Sequence, residues 1–497
     1  MRHALLTILV VASLAADPIV IDSKHQLFLD DHLIASMTNL KRGVHPPQKH
    51  AANPLLWPSE PWEPEMATVY GSVIRDDRYD GAKFRMWYKS GMGVAYAESD
   101  DGLKWNKPAL DLVRIDGVKT NILWRKKSKT EGPDAFPVFY ELFGVHRDDR
   151  DPDPSRRYKM GFLCIDWKHQ GPGGDPYHPG QRRGLGVATS PDGIYWKLAN
   201  TWATQAIIDG QTHWTWDPAR DRYVLYGRTR KQPPEIVEAW SKYDWFKKWY
   251  SGRAVGRIES ADFLNWNVTE SAAAPVVLTP DLSDPPGTEI YSMKVFPYEG
   301  IYIGLVQVFH ATPDESTLDI QLAVSRDGVN FARVAGRATW LPLGAVGSWD
   351  RFNLSMANND PVVIGDELRF YYGGRMYRHG PYAGKDKGPE RSGIGLATVP
   401  RDRFVALAGS FDNPEFVTKP LLLKGDTLHL NANARFGEIT IWINDETGKE
   451  VGKSEMISRD ALDIPVKWKA DPSDILRKPV TLRIRLRNAE LFSLWSD

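Results

Sequence analysis

Five times in this chain a short strand-like run ends in the same kind of turn, and that recurrence limits the fold more than any other feature. Ser99-Asp100-Asp101-Gly102-Leu103-Lys104-Trp105 is echoed by Ser190-Pro191-Asp192-Gly193-Ile194-Tyr195-Trp196. It recurs as Ser260-Ala261-Asp262-Phe263-Leu264-Asn265-Trp266 and as Ser325-Arg326-Asp327-Gly328-Val329-Asn330-Phe331, with a decayed copy over 398–404. Ser and Asp side chains can bond backbone amides inside such a turn, and Gly accepts positive φ there. The turns are therefore expected to build the fold, with the closing Trp or Phe packed between repeats, and not to act on a substrate.

Each turn follows a strand-like run: 94–97, 185–188, 256–258, 322–324 and 394–397. Upstream of each lies a second run rich in aromatic and β-branched residues, at 84–88, 158–165, 223–226, 301–308 and 368–372. A third precedes it, at 67–74, 137–145, 212–216, 290–296 and 361–364. Three strands before a turn and one after it make a four-stranded sheet. Five such sheets arranged radially hide their edges, so the chain predicts an all-β fold, a five-bladed β-propeller. The period of about 70 residues exceeds the ~40–45 of WD repeats, which implies long connecting loops, where binding groups sit. After a linker at 414–420, short alternating runs at 421–423, 427–430, 439–443 and 480–486 predict a small C-terminal β-sandwich. The expected division is a signal peptide at 1–16, the propeller at 17–411 and the sandwich at 412–497.

Charge and composition exclude several functions. With 63 basic and 63 acidic residues the formal net charge is zero, so the electrostatic footprint of a nucleic-acid or anionic-membrane binder is missing. The basic run Arg125-Lys126-Lys127 reads as a solvated turn. Arg2 and His3 precede an apolar run over 4–12, and Ser13-Leu14-Ala15 offers small residues for cleavage. That run is too short to span a bilayer, and no later stretch approaches the roughly 20 apolar residues a membrane helix needs. A mature protein starting near Ala16 or Asp17, secreted or periplasmic and monomeric, is expected. Cys164 is the only cysteine, so no internal disulfide or paired-cysteine metal site can form. The 19 Trp and 19 Tyr residues exceed what a core alone calls for, and flat rings stack on sugar faces.

The repeats, the Leu27-Phe28-Leu29-Asp30-Asp31 opening, the Pro61-Trp62-Glu63 stretch and the C-terminal runs resemble the five-bladed propeller glycoside hydrolases. These are the invertase and levanase group and the arabinanase and β-xylosidase group. The invertase-type Asn-Asp-Pro-Asn-Gly opening is absent; Asn53-Pro54 followed by Trp62-Glu63 takes the comparable place. The resemblance implies hydrolysis of glycosidic bonds in a poly- or oligosaccharide, with acids at the mouth of a central channel.

Glycosidic cleavage needs two carboxyl groups across the scissile bond, one giving a proton and one activating water or attacking. Acids ahead of or within the first run of each repeat are Glu63 or Glu65, Asp134, Asp209, Glu289 and Asp350. Glu289, with Tyr291 beside it, is the expected general acid, and Asp209 and Glu63 its partners. Asp134 and Asp350 are expected to bind substrate. His213 and Trp216 follow Asp209 on one strand, and Arg228, His310 and Arg375 end the second runs of their repeats. Arg and His there can hold a carboxylate or sulfate on an acidic glycan, or simply pair with the acids. Trp57, Trp62 and Trp349 are candidate sugar platforms. No His and carboxylate set has a metal-site spacing, so neither a catalytic metal nor a cofactor is expected; a structural Ca²⁺ in the channel is compatible with these acids. The alternative is a non-catalytic glycan-binding propeller whose acids are paired off. A phosphorolytic enzyme using Arg228, Arg230 and Arg375 fits an exported protein poorly, and five repeats speak against a sialidase.

Overall fold

The computed structural model describes residues 17–78, 81–125, 138–169, 179–268, 270, 273–380 and 389–497. The expected signal peptide, Lys126, Lys127 and Asp134 lie outside them. The described residues are largely β, as the strand-like runs predict. None of their helices is long and apolar enough to cross a membrane. They fall into two units, one spanning 44–404 and one combining the residues before 44 with 405–497.

In the larger unit the expected runs pair in the expected order. The first sheet joins Ala67–Arg75, Phe84–Ser90, Gly93–Ser99 and Ile122–Arg125. The second joins Val138–Arg147, Tyr158–Asp166, Arg182–Ser190 and Lys197–Thr204, and the third His213–Asp217, Arg222–Thr229, Ala254–Ser260 and Val276–Leu278. A ten-stranded sheet holds the remaining repeats. One half runs through Thr288–Tyr298, Ile301–His310 and Thr317–Ser325, which takes the short Ala332–Arg333 and Thr339–Leu341 on its far edge. The other half runs through Glu367–Arg375 and Ser392–Pro400, and one parallel bridge between Leu318 and Asn353 joins the two.

Two details of that last half depart from expectation. Its first strand is split into Asn353–Met356 and Val362–Ile364, which pair with opposite ends of Glu367–Arg375. Between them Asn358 and Asn359 turn to the first sheet: the Asn358 amide donates to Gly71 O at 2.7 Å and Asn359 Oδ1 accepts from the Val73 amide. Its outer strand is Gln48–Lys49, from the opposite end of the unit's sequence. Two polar residues carry no period-2 signal, so sequence patterning does not reveal this strand.

Apolar side chains fill the spaces between consecutive sheets. Trp87, Val94 and Tyr96 of the first interleave with Leu142, Met160 and Phe162 of the second. Leu163, Leu185 and Val187 of the second meet Trp214 and Leu225 of the third. Val224 and Val255 of the third meet Ile290, Met293 and Val306. Phe296 meets Phe370 within the ten-stranded sheet, and Tyr371, Ile394 and Leu396 pack on Val69, Val73 and Met86 of the first sheet. Strands buried on both faces need large apolar residues at every position, which explains why these runs are continuous and not alternating.

The repeated turns have the expected structural part. Ser99 Oγ accepts from the Gly102 amide at 2.9 Å, and Asp101 Oδ1 accepts from Leu103 and Lys104 amides at 2.7 and 2.9 Å. Equivalent bonds recur at Ser190 with Asp192 and at Ser260 with Asp262. Gly102, Gly193 and Gly328 adopt φ of 74°, 77° and 66°, and Phe263 takes the same left-handed conformation at 67°. The turn carbonyls then receive side chains from another sheet: Gly102 O from Tyr371, Gly193 O from Trp87 and Gly328 O from Tyr226.

The smaller unit corrects the expected boundaries. Residues 17–43, expected within the propeller, pair with the C-terminal strands. A six-stranded sheet contains Leu40–Val44, Val405–Gly409, Ala489–Ser496, Leu428–Asn433 and Asp460–Pro465, with Gln26–Leu27 also on Ala489–Ser496. A five-stranded sheet runs Ile34–Thr38, Glu415–Thr418, Thr481–Arg487, Glu438–Asn444, Glu450–Lys453. The expected linker at 414–420 is thus largely the strand Glu415–Thr418, paired on both sides. Its flanking prolines suggest a linker, but they lie outside the strand. Phe28, Leu407, Leu430, Ile441, Leu482 and Leu491 share one buried core.

Candidate active site

The first strands of the larger unit's sheets meet each other. Ser72 Oγ donates to Asn358 O and accepts from the Val145 amide, both at 3.0 Å, and Asn358 Oδ1 accepts from the Trp214 amide. Lys294 Nζ reaches Trp214 O at 3.2 Å. At the end where these strands begin, side chains from several sheets gather. The second strands run antiparallel to them, so Lys89, Arg228 and Arg375, at or next to their last positions, arrive at the same end.

Asp209 lies in the loop leading into His213–Asp217. Its Oδ2 pairs with Arg228 at 2.7 Å and lies 3.7 Å from Arg230, and its Oδ1 is 3.4 Å from Arg183. Burial alone raises a carboxyl, but Arg228, Arg183, the Gly210 amide and Arg230 outweigh it and hold Asp209 well below the usual carboxylate range. The Arg228 guanidinium lies 4.1 Å over the Tyr291 ring and also donates to Gly210 O and Tyr291 O. Burial opposes its charge, and Asp209 raises its pKa above the ordinary value.

Glu141, from the first strand of the second sheet, accepts from Lys89 Nζ through Oε1 at 2.5 Å. Among the described residues its Oε2 accepts no hydrogen bond and stands against Gly210: a Cβ there would lie 2.7 Å away. Gly210 therefore lets Glu141 approach the loop carrying Asp209. Side-chain exposure separates the acids: 20% for Asp209 and 10% for Glu141, against none for Glu289 or Glu63 and 4% for Asp350.

Glu289 does reach this end, yet as an enclosed anchor. Its Oε1 accepts from the Ser251 and Gly252 amides, and its Oε2 pairs with Arg253. To give a proton to substrate, an oxygen would first have to leave one of these donors, so the expected general acid sits in an unsuitable setting. Arg253 in turn lies 5.3 Å from the Tyr291 ring, beside Arg228. Glu63 is not brought to this cluster. It accepts from Tyr88 and Lys107 and from the Ser59 and Glu60 amides, which holds its own loop together. Glu65 is exposed, and its carbonyl accepts from the Ser392 amide. Asp350 takes Lys49 at 2.6 Å and Tyr372 at 3.0 Å, beside the strand supplied by Gln48–Lys49.

The other expected residues separate similarly. Arg375 sits over Tyr70 and Tyr377 at 5.2 and 5.6 Å. His310 contacts Asp319 at 3.2 Å; burial lowers its pKa, and Asp319 outweighs this and raises it. His213 is buried deeper between the first strands, where burial and then Lys294 lower it to about 3. Trp62 is buried with its Nε1 on Asn121 at 2.7 Å, and Trp216 packs on Tyr223 under Arg150, so neither offers a platform at this end. Trp349 packs at a tilt against Tyr372, and Trp57 lies beneath Arg391.

Sequence reasoning missed Glu141, Lys89, Tyr70, Arg253 and His379. Glu141 had a signal, as the lone acid within the apolar run 137–145. Arg253 and His379 had none, because both lie in loops outside the repeated pattern. His379 packs edge-on against Tyr291 and Phe309. Burial, then Arg253, Arg375 and Arg228, push its pKa well below the ordinary value, so its imidazole is neutral.

No family model matches this sequence, and no curated protein matches it. Among solved structures, an N-acetylgalactosamine deacetylase from F. plautii in complex with blood group B trisaccharide is similar, at 14% identity and a TM-score of 0.44. The match covers 74% of this chain and 97% of that one. A thermostable family-43 glycoside hydrolase aligns at 12% identity and a TM-score of 0.43, over 69% and 93% of the two chains. A glycosyl hydrolase from Bacteroides ovatus aligns at 14% and 0.44, over 74% and 97%.

Proposed function

We propose that this protein is a secreted glycoside hydrolase whose larger unit is a five-bladed propeller and whose smaller unit is a β-sandwich. One observation carries the enzymatic reading. Glu141 and Asp209, the least enclosed of the acids considered, come from successive sheets and flank Gly210 where the first strands begin. Two neighbouring carboxyl groups are the minimum that glycosidic hydrolysis requires. Asp209, held ionised by arginines, is suited to act as base or nucleophile. Glu141 is assigned the part of proton donor, with Oε1 held by Lys89 and Oε2 turned to the loop that carries Asp209. Glu289 positions Arg253 and touches no substrate. The packing of each sheet on the next, with the last meeting the first, supports the propeller.

A second reading, a glycan-binding propeller without catalysis, is favoured by one observation: Glu141, Asp209 and Glu289 are each ion-paired. Incubating the purified protein with plant, algal and host glycans and measuring new reducing ends separates the two. On a cleaved glycan, Glu141→Gln should lower kcat by at least ~10²-fold, the usual contribution of general acid catalysis, with affinity little changed. An activated substrate with a good leaving group should suffer far less. Wild-type binding without cleavage anywhere on the panel would establish the second reading.

A further inference from the structure

Three arginines surround Tyr291 and His379 at this end, and they are not equivalent. Arg228 is neutralised by Asp209 at 2.7 Å and Arg253 by Glu289. Among the described residues Arg375 has no carboxylate within ion-pairing distance; its neighbours are the rings of Tyr70 and Tyr377. It lines a small cavity with Tyr70, Tyr291, Asn353, Ser355 and His379. Asn353 Oδ1 is buried there without a partner.

Burial opposes the Arg375 charge, and the Glu141 carboxylate supports it only from beyond pairing distance, so an anion brought to the guanidinium would be its first direct partner. The imidazole of His379, neutral and set against three arginines, can donate a hydrogen bond without adding positive charge. Aromatic walls give a sugar ring its apolar contact, and a guanidinium fork matches a planar or tetrahedral oxyanion.

We infer that Arg375 anchors an anionic substituent of the sugar, a carboxylate or sulfate, beside Tyr70, Tyr291 and His379. The inference rests on the carbohydrate-site reading above and narrows it to acidic glycans. Arg375 binds and orients, whereas Glu141 and Asp209 carry the chemistry.

Calorimetric titration of the whole protein with four probes tests this: a galacturonate trisaccharide, a sulfated galactose trisaccharide, the neutral galactose trisaccharide, and inorganic sulfate. One charged trisaccharide should bind about 10- to 100-fold tighter than the neutral one, as expected for hydrogen bonds to a charged group. Which one does so identifies the substituent. The preference should shrink with added salt, collapse toward unity in Arg375→Gln and return in part in Arg375→Lys. The salt dependence is read on wild-type protein and does not depend on the variants folding. Equal binding of charged and neutral trisaccharides overturns the inference and leaves the carbohydrate reading standing. Binding of sulfate alone, lost in Arg375→Gln, overturns the carbohydrate reading and the sugar anchor with it, leaving a simple anion site. Binding of no probe overturns both.

Discussion

A carboxylate surrounded by three arginines behaves differently from one facing water, and Asp209 shows the consequence. Its ionised form persists well below the usual carboxylate range because Arg228 and its neighbours outweigh burial. Acidification through the ordinary carboxylate range should therefore not silence Asp209. In Arg228→Gln the closest of these charges is gone, the folded-state pKa of Asp209 rises, and the acid limb of the kcat/KM profile should move to higher pH. An unmoved limb would show that a different group sets it. The same logic explains why sequence proximity did not reveal the partners of Glu289. An acid beside an aromatic residue reads as an isolated donor, yet two loop amides and Arg253, 36 or more positions upstream in sequence, enclose it. Partners supplied by loops leave no mark in the run that carries the acid.

At the scale of elements, the turn that ends each third strand does most to relate one sheet to another. Gly193 shows its steric limits: it takes φ of 77°, and a Cβ there would lie 2.7 Å from Trp87 Cζ2. Gly117 takes φ of 82°, with nothing within 4 Å of its would-be Cβ. Gly193→Ala should cost about 1–3 kcal/mol more than Gly117→Ala, because a clash adds to the left-handed strain both share. Denaturation midpoints of the two variants measure the difference. Most strands of the larger unit were legible, since buried runs of Val, Ile, Phe, Tyr and Trp recur at fixed distances before these turns. What escaped were elements defined by partners and not by their own pattern. Gln48–Lys49 is too short to show a period, and Glu415–Thr418 stands between prolines. The split between Asn353–Met356 and Val362–Ile364 arises from asparagines that bond to another sheet. Glu141 and Asp209 were within reach of sequence reasoning, but their approach through Gly210 was not.

For the molecule as a whole, His213 links stability to pH. Buried between the first strands, it stays neutral until about pH 3, whereas in the unfolded chain it takes a proton near 6.5. Between those values the unfolded state binds more protons, so stability falls as pH drops below 6.5, by up to about 2 kcal/mol at pH 5. Urea unfolding at pH 7 and pH 5 should show this loss, and His213→Asn should show less of it. Pairing between distant parts of the sequence sets a different limit, on time. The Asn53 side-chain Nδ2 donates to Leu396 O, 343 positions away, next to the pairing of Gln48–Lys49 with Ser392–Pro400. The smaller unit likewise joins residues from both sides of that span. At about 5–20 residues per second, synthesis of the intervening chain takes on the order of 20–70 s, and neither unit can complete its sheets before then. Folding dominated by such distant pairings is slow. A nascent chain that cannot finish either unit stays threadable, and that delay suits the export proposed for it.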